Sequence, residues 1–411
     1  SFPIQNLPFG VCRNKKNLSV ACFSRISNTL INLSTLEQAG LLDTKDFAFD
    51  GKTFSQDKLN AFMSLGSAAR RQVRQKLTEI FTEEKLREDK IVLSSLINIE
   101  EVDSLLPIVI PDYTDFYSSK NHAFNVGSFF RPNNPLQPNW VHLPVGYHGR
   151  SSTIVVDGTP VRRPLGQVKK AKDIDEPVFS DCKRLDYEVE MGVVLGRSNP
   201  IGKPIKIEEA ADYIFGYVML NDWSARDLQA WEYVPLGPFT AKNFASTISA
   251  WIVTPEALEP FRIELPKQDP KPLKYLDEKD HSSFNINIEV HVKGRNQKET
   301  NIISQTNYSH MYWTAPQQIT HHSVSGCSMS VGDLLGSGTI SGTDDKSYGC
   351  LLESSKNGSS KIKVGDEERT WLQDGDYVNF KAYSQGLGYK IGFSNCSGEI
   401  LEAIDEKEYL S

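Results

Sequence analysis

Three carboxylates stand at alternate positions, Asp186, Glu188 and Glu190, in the run from Arg184 to Leu195. In a strand, alternate residues share a face, so the three side chains would stand side by side. The run continues into Gly192-Val-Val-Leu195, an apolar stretch of the kind buried on both faces. Clustered carboxylates near a buried strand repel one another and lose hydration, so they call for a cation. Carboxylates are hard oxygen donors, and no Cys/His ligand spacing accompanies them, so the matching ions are Ca²⁺ or Mg²⁺ rather than Zn²⁺. A solvated acidic stripe on an exposed strand fits the same pattern, and both readings stay open.

Further candidates surround this run. The apolar stretch from Ile214 ends in Asn221-Asp222 and then changes to a helical pattern from Ser224 to Tyr233. Ser224 or Asp222 is placed to cap that helix. Arg226, Gln229 and Tyr233 fall at i, i+3 and i+7, one face of a short helix that offers donors to an anion. Asp222 at the strand end is placed to close a metal site; a capping Asp on a surface helix is the alternative. Ser118 or Ser119 is placed to cap a helix with His122 in its first turn, either a base or a satisfied structural histidine. Adjacent His321 and His322 point in different directions and make a poor ligand pair. The run Gly336-Ser-Gly338-Thr339-Ile-Ser-Gly342 lacks the spacing and the Lys-Ser/Thr ending of a phosphate loop. A grip on a carboxylate or a plain glycine turn are its two readings. No Gly-x-Ser-x-Gly elbow occurs, so an activated water is the nucleophile this inventory supports.

The elements that must position these residues follow from periodicity. Apolar Leu59, Phe62, Ala69, Val73, Leu77, Ile80 and Phe81 recur at helical spacing. Strand-like segments are Leu18–Phe23, Ser151–Gly158, Tyr187–Leu195, Tyr213–Leu220 and Phe284–Val292. Asn357-Gly358 and Asp374-Gly375 read as tight hairpin turns, and 266–273 as a surface loop. Pro107 and Pro111 oppose helix and mark a boundary. With 411 residues, two domains are expected, 1–107 and 108–411, the second a β-rich sandwich or roll with a few short helices.

Composition narrows the partners. A net charge of −7 without a basic block argues against nucleic acid. The six cysteines, Cys12, Cys22, Cys182, Cys327, Cys350 and Cys396, are scattered, as expected of reduced buried thiols. No apolar run approaches membrane-spanning length and no leader pattern opens the sequence, so a cytoplasmic protein without a membrane partner is expected.

Several longer stretches resemble the fumarylacetoacetate hydrolase family. They are Phe2–Pro8, Asp112–Ser119, Leu143–Arg150, Asn221–Asp227, Trp231–Phe239, His310–Trp313 and Ser337–Gly342. The resemblance runs from the first residues to the last strands. It implies an α+β, mainly β chain with a small SH3-like N-terminal domain, a β-sandwich-roll catalytic domain and a homodimer. The activity it implies is hydrolysis of a carbon–carbon bond in 4-fumarylacetoacetate, a dicarboxylic 1,3-diketone, to fumarate and acetoacetate in tyrosine and phenylalanine breakdown. By the same matching, Asp115, Glu188, Glu190 and Asp222 resemble a Ca²⁺ site, and Asp222, Lys242 and Ser246 a Mg²⁺ site. His122 resembles the base, paired with Glu353. Arg226, Gln229 and Lys242 resemble the group that stabilises developing charge, and Tyr117, Arg131, Tyr147, Gln229, Tyr233 and Thr339 the substrate contacts. The sequence departs from the family at Ala245 and Ser246, where Gly and Thr are usual. Serine keeps the hydroxyl, and alanine restricts the backbone.

Overall fold

Every residue of the strands Val189–Leu195 and Ile214–Asp222 is buried, and this decides the architecture. The computed structural model describes residues 2–171 and 174–411. The two strands pair antiparallel, from Val189 opposite Asn221 to Leu195 opposite Ile214. They form the middle of a seven-stranded sheet in the order Gly146–His148, Tyr113–Phe116, Leu334–Gly336, Val189–Leu195, Ile214–Asp222, Ser246–Ile248 and Ile154–Val156.

Alternation along these strands feeds two cores. Val189, Met191, Val193, Leu195, Tyr217 and Met219 pack with Ile288, Val290, Val292, Val378 and Phe380 of a second sheet. That sheet runs Asn301–Asn307, Asn287–Lys293, Tyr377–Gln385, Cys396–Leu401, Val161–Arg162, so the pair is a sandwich. The opposite set, Val194, Val218 and Leu220, packs with Phe9, Phe62, Val73 and Leu77 from the N-terminal part. A half-buried strand would alternate apolar and polar; these cannot, because both faces are covered. The N-terminal strands Phe9–Asn14, Val20–Ile26, Thr29–Asn32 and Leu96–Asn98 form a sheet to which Val102–Leu105 and the later Trp251–Ile252 are added. Fold class is therefore as expected: mainly β with helices, a small N-terminal sheet unit set against a larger sandwich.

The expected helix is present as Asn60–Ser64 and Gly66–Thr82. It breaks where Gly66 takes φ of +83°, outside the right-handed helical range. Its buried face carries Arg70, whose Nη1 donates to the carbonyls of Ile214 (2.7 Å) and Phe215 (3.1 Å). Arg70 Nη2 donates to Glu256 Oε1 at 2.8 Å. An N-terminal helix is thereby fixed to the base of the strand that ends in Asp222. Arg70→Ala leaves Glu256 and two carbonyls without their donor, and should cost about 3 kcal/mol of unfolding free energy in denaturant titration. A loss within about 0.5 kcal/mol would show the clamp to be dispensable.

Four local expectations are corrected. Of 151–158 only Ile154–Val156 is strand, with Ser151–Thr153 a 3₁₀ turn. The central strand starts at Val189, because Leu185–Asp186 leaves the sheet to pair with Ser224–Ala225. Asn357-Gly358 lies in the turn that follows the helix Leu351–Ser354, with φ of +56° and +85° after Lys356 at +50°, and the nearby hairpin turns at Gly365 instead. An Asn-Gly pair signals positive φ, which helix C-termini need as much as hairpins do. Asp374-Gly375 is a turn leading into Tyr377–Gln385 rather than a link between paired strands.

Candidate metal centre and catalytic dyad

Sheet register brings four carboxylates together. Asp115 lies opposite Gly336, and Gly336 lies opposite Gly192. Glu190 lies opposite Leu220, two residues short of Asp222, and Glu188 precedes the strand. One oxygen from each of Asp115, Glu188, Glu190 and Asp222 lies within 4.8 Å of the others, and all four residues are buried. Gly336 makes the cluster possible. A Cβ there would lie 2.7 Å from Asp115 Oδ1 and 2.8 Å from a Glu190 carboxylate oxygen. Gly336→Ala should therefore weaken divalent-cation affinity by about 10- to 100-fold in a calorimetric titration. Unchanged affinity would place the cation elsewhere.

Two cationic side chains offset part of the charge. Lys242 Nζ donates to Glu188 Oε2 and Asp222 Oδ2. Arg226 Nη2 lies 2.8 Å from Glu188 Oε1, a charge contact without hydrogen-bond alignment. Burial alone would raise Glu188, but Lys242 and Arg226 outweigh it and hold its carboxyl at about 2. Asp115 and Glu190 go the other way. Burial, and then the neighbouring carboxylates, push both well above the ordinary range. Among the described residues, nothing donates a hydrogen bond to Asp115 Oδ1 or Glu190 Oε1, although both are buried. Buried, unsatisfied hard oxygens that repel one another fit a divalent cation of the Ca²⁺ or Mg²⁺ type.

Serine and tyrosine hydroxyls fix Asp222. Ser246, directly opposite it in the sheet, donates to Oδ1 at 3.1 Å, and Tyr147 Oη donates to Oδ2 at 3.3 Å. Ala245 is not among the residues with positive φ, so its Cβ imposes no backbone strain. For Lys242, burial disfavours the charge, yet Asp222 and Glu188 raise its pKa above the ordinary lysine value. Its ammonium is a charge partner and not a metal ligand.

A dyad is built beside the cluster. Ser119 caps the helix Lys120–Phe130, accepting from His122 N at 3.4 Å. His122 Nδ1 is 2.7 Å from Glu353 Oε2. Glu353 Oε2 also accepts from Ser341 Oγ (2.7 Å), and Oε1 from Asn125 Nδ2 (2.8 Å). Cys350 Sγ lies 3.2 Å from the same Oε2. Burial opposes ionisation of Glu353, but His122, Ser341 and Asn125 outweigh it and lower its pKa. An anionic Glu353 assigns the proton to Nδ1 and leaves Nε2 as the basic nitrogen. The Tyr117 ring stands edge-on to the imidazole, centroids 5.3 Å apart.

The short helix Arg226–Glu232 carries the third group. Neither Ser224 nor Asp222 caps it: Ala225 holds that position, Ser224 Oγ donates back to the Asp222 carbonyl at 3.0 Å, and the Asp222 carboxylate is committed to the cluster. Arg226 Nε donates to Asp186 Oδ2 (2.9 Å), and Nη1 to Gln229 Oε1 (3.1 Å). Asp186 thus stands apart from the cluster to which the alternation assigned it. Its Oδ1 accepts from Leu351 N (2.7 Å) and its Oδ2 from Leu352 N (2.9 Å). Tyr233 ends the helix and is 43% exposed. Arg131 is exposed at the far end of the His122 helix, its Nη2 donating to the Pro135 carbonyl at 3.1 Å.

The glycine run grips carboxylates, and they belong to the protein itself. Gly338 N donates to Glu190 Oε2 at 3.0 Å, and Ser341 holds Glu353; buried Thr339 lies between them. His321 and His322 diverge as expected, to Tyr275 and Thr114 respectively. Gly336 and Ser341 lie in the run that the sequence offers as a carboxylate grip, whereas Asn125 stands outside every motif. Asn125 was findable, being i+3 from His122 on one helical face.

Two family models match the chain. "Fumarylacetoacetase N-terminal" covers residues 5–107, and "Fumarylacetoacetate (FAA) hydrolase C-terminal" covers residues 113–392. The chain belongs to the fumarylacetoacetate hydrolase family. The fumarylacetoacetase of Dictyostelium discoideum is 50% identical over 410 residues, spanning 98% of this chain and 96% of that protein. Those of Arabidopsis thaliana and Homo sapiens are 46% and 45% identical, spanning 97% and 98% of this chain and 96% and 97% of theirs. A solved fumarylacetoacetate hydrolase from Exiguobacterium antarcticum shares the fold, with a TM-score of 0.55 at 15% identity over 97% of this chain and 100% of that one. Among the described residues, no helix is long and apolar enough to cross a membrane.

Proposed function

We propose that this chain hydrolyses 4-fumarylacetoacetate to fumarate and acetoacetate in tyrosine and phenylalanine breakdown, using water activated by His122. The observation that carries the reading is the 2.7 Å contact between His122 Nδ1 and the buried Glu353 carboxylate, beside four carboxylates gathered on one sheet. Its support is full-length identity of 43–50% to fumarylacetoacetases.

His122 Nε2 takes a proton from water, and the hydroxide attacks the carbonyl carbon next to the fumaryl part. Arg226, Gln229 and Lys242 stabilise the oxyanion that forms. Gln229 uses its carbonyl oxygen to accept from Arg226, which leaves its amide N–H groups to donate. The tetrahedral intermediate then collapses, its carbon–carbon bond breaks, and the acetoacetate carbanion takes the proton held by His122. Glu353 stabilises the imidazolium between these steps. A divalent cation held by the four carboxylates would polarise the diketone oxygens and stabilise the enolate that leaves. Ca²⁺ would be held by Asp115, Glu188, Glu190 and Asp222, and Mg²⁺ by Asp222 and the Lys242–Ser246 stretch. Tyr117, Arg131, Tyr147, Gln229, Tyr233 and Thr339 contact the substrate, with Arg131 and the hydroxyls suited to its carboxylates. The division at 1–107 and 108–411, a homodimer and a cytoplasmic location complete the proposal.

Turnover of 4-fumarylacetoacetate by the purified chain, with fumarate and acetoacetate identified as products, tests it. Cleavage of an acylpyruvate in preference would move the protein to another activity of the same fold. Cation binding without turnover of either would make it a binding module.

A further inference from the structure

We infer that Asp186 is a positioning residue for the hydrolysis, fixing Arg226 against the helix that carries Glu353; this rests on the role given to Arg226 above. The geometry is specific. Asp186 is fully buried and lies outside the carboxylate cluster. Its Oδ2 receives Arg226 Nε at 2.9 Å and Leu352 N at 2.9 Å; its Oδ1 receives Leu351 N at 2.7 Å. Leu351 and Leu352 open the helix Leu351–Ser354, in which the next residue is Glu353. One carboxylate therefore joins the guanidinium that meets developing charge to the turn that holds the base's partner.

The arrangement also decides which face Arg226 offers. Its Nε is used by Asp186, its Nη1 by Gln229, and its Nη2 sits 2.8 Å from Glu188 without hydrogen-bond alignment. Without the Nε contact, Glu188 is the remaining carboxylate at the guanidinium, and Arg226 would rotate toward it. The local chain path serves this contact. Leu185–Asp186 leaves the central sheet to pair with Ser224–Ala225, placing Asp186 opposite Ser224, two residues before Arg226. Catalysis is sensitive to misplacement on the ångström scale, about 10²-fold for roughly 1 Å.

The test is a double-mutant cycle on the metal-loaded enzyme. In Asp186→Asn the amide oxygen can keep Leu351 N, but an NH₂ group faces Arg226 Nε. Expected are a kcat about 10²-fold lower, KM within about threefold and metal content unchanged. Adding Asp186→Asn to Arg226→Gln should lower kcat by less than about threefold further, because the effect passes through Arg226. Additive losses would overturn the inference, since a merely structural role adds, and so would a wild-type kcat in Asp186→Asn. A wild-type kcat in Arg226→Gln alone would instead remove the reading on which it rests. Should Asp186→Asn not fold, Arg226→Lys decides. It keeps the charge but cannot hold the Asp186 and Gln229 contacts together, so it should lose as much as Arg226→Gln, and a near-wild-type rate would overturn the inference.

Discussion

His122→Ala is expected to lose at least about 10²-fold in kcat, the usual contribution of a positioned general base. Nothing beside it can substitute. Glu188 and Asp222 are engaged by Lys242, and Lys242 is held charged by them. Glu353 is no replacement base: His122 itself is the main group that offsets burial and keeps it ionised, ahead of Ser341 and Asn125, so removing the imidazole leaves burial to favour the neutral acid. Metal content should be unchanged, since His122 belongs to a separate group of side chains from the four carboxylates. Affinity for a non-hydrolysable substrate mimic should persist, since Arg226, Lys242 and the carboxylates remain. Glu353→Gln should lower the rate by a smaller factor, because an amide holds the ring but stabilises no imidazolium. The decisive comparison is turnover beside metal content in His122→Ala. A rate within a few-fold of wild type would place the base elsewhere, and loss of metal would make His122 a ligand.

What the sequence made legible follows from how local each signal is. The helix from Asn60 to Thr82, the buried central strands and the Ser119 cap come from periodicity and side-chain chemistry within a few residues. Glu188, Glu190 and Asp222 were found for the same reason, lying on or beside strands whose alternation is visible. Asp186 shows the limit. Alternation placed it with Glu188 and Glu190, but the chain leaves the sheet between Asp186 and Val189, and strand exchange carries no composition signal. Asp115 reaches the cluster through a parallel pairing with Gly336, more than two hundred residues away, which no local pattern encodes. The Glu353 partners illustrate the same point: Asn125 shares a helix face with His122, whereas Ser341 arrives only through the fold. The failed cap at Asp222 is a case of tertiary demand overriding local preference, since a carboxylate surrounded by Lys242, Ser246 and Tyr147 is not free to fold back onto its own helix.

Removing the cation should cost both activity and stability, and the stability loss should grow with pH. Glu188→Ala takes from the cluster the carboxylate that Lys242 and Arg226 keep ionised, so bound divalent metal and turnover should fall together. In the wild-type chain treated with chelator, Asp115 and Glu190 are the sensitive groups. Burial, followed by their neighbours' charge, raises both far above their ordinary values. A carboxyl with a raised folded pKa favours the folded state fully below its unfolded pKa, near 4, and that contribution is lost as pH climbs toward the folded value. Ionising two buried carboxylates beside one another is what the metal-free fold must do as pH rises. With a cation bound they are already ionised and paired, and protons compete with the metal instead. The gap in Tm between loaded and chelated protein should therefore widen as pH rises above the ordinary carboxylate range. The check is a pair of thermal melts at each pH, with metal content measured alongside. A gap that stays constant across the range, or closes toward high pH, would show that Asp115 and Glu190 do not share the cation, and Glu188→Ala retaining full metal occupancy would show that Glu188 does not either.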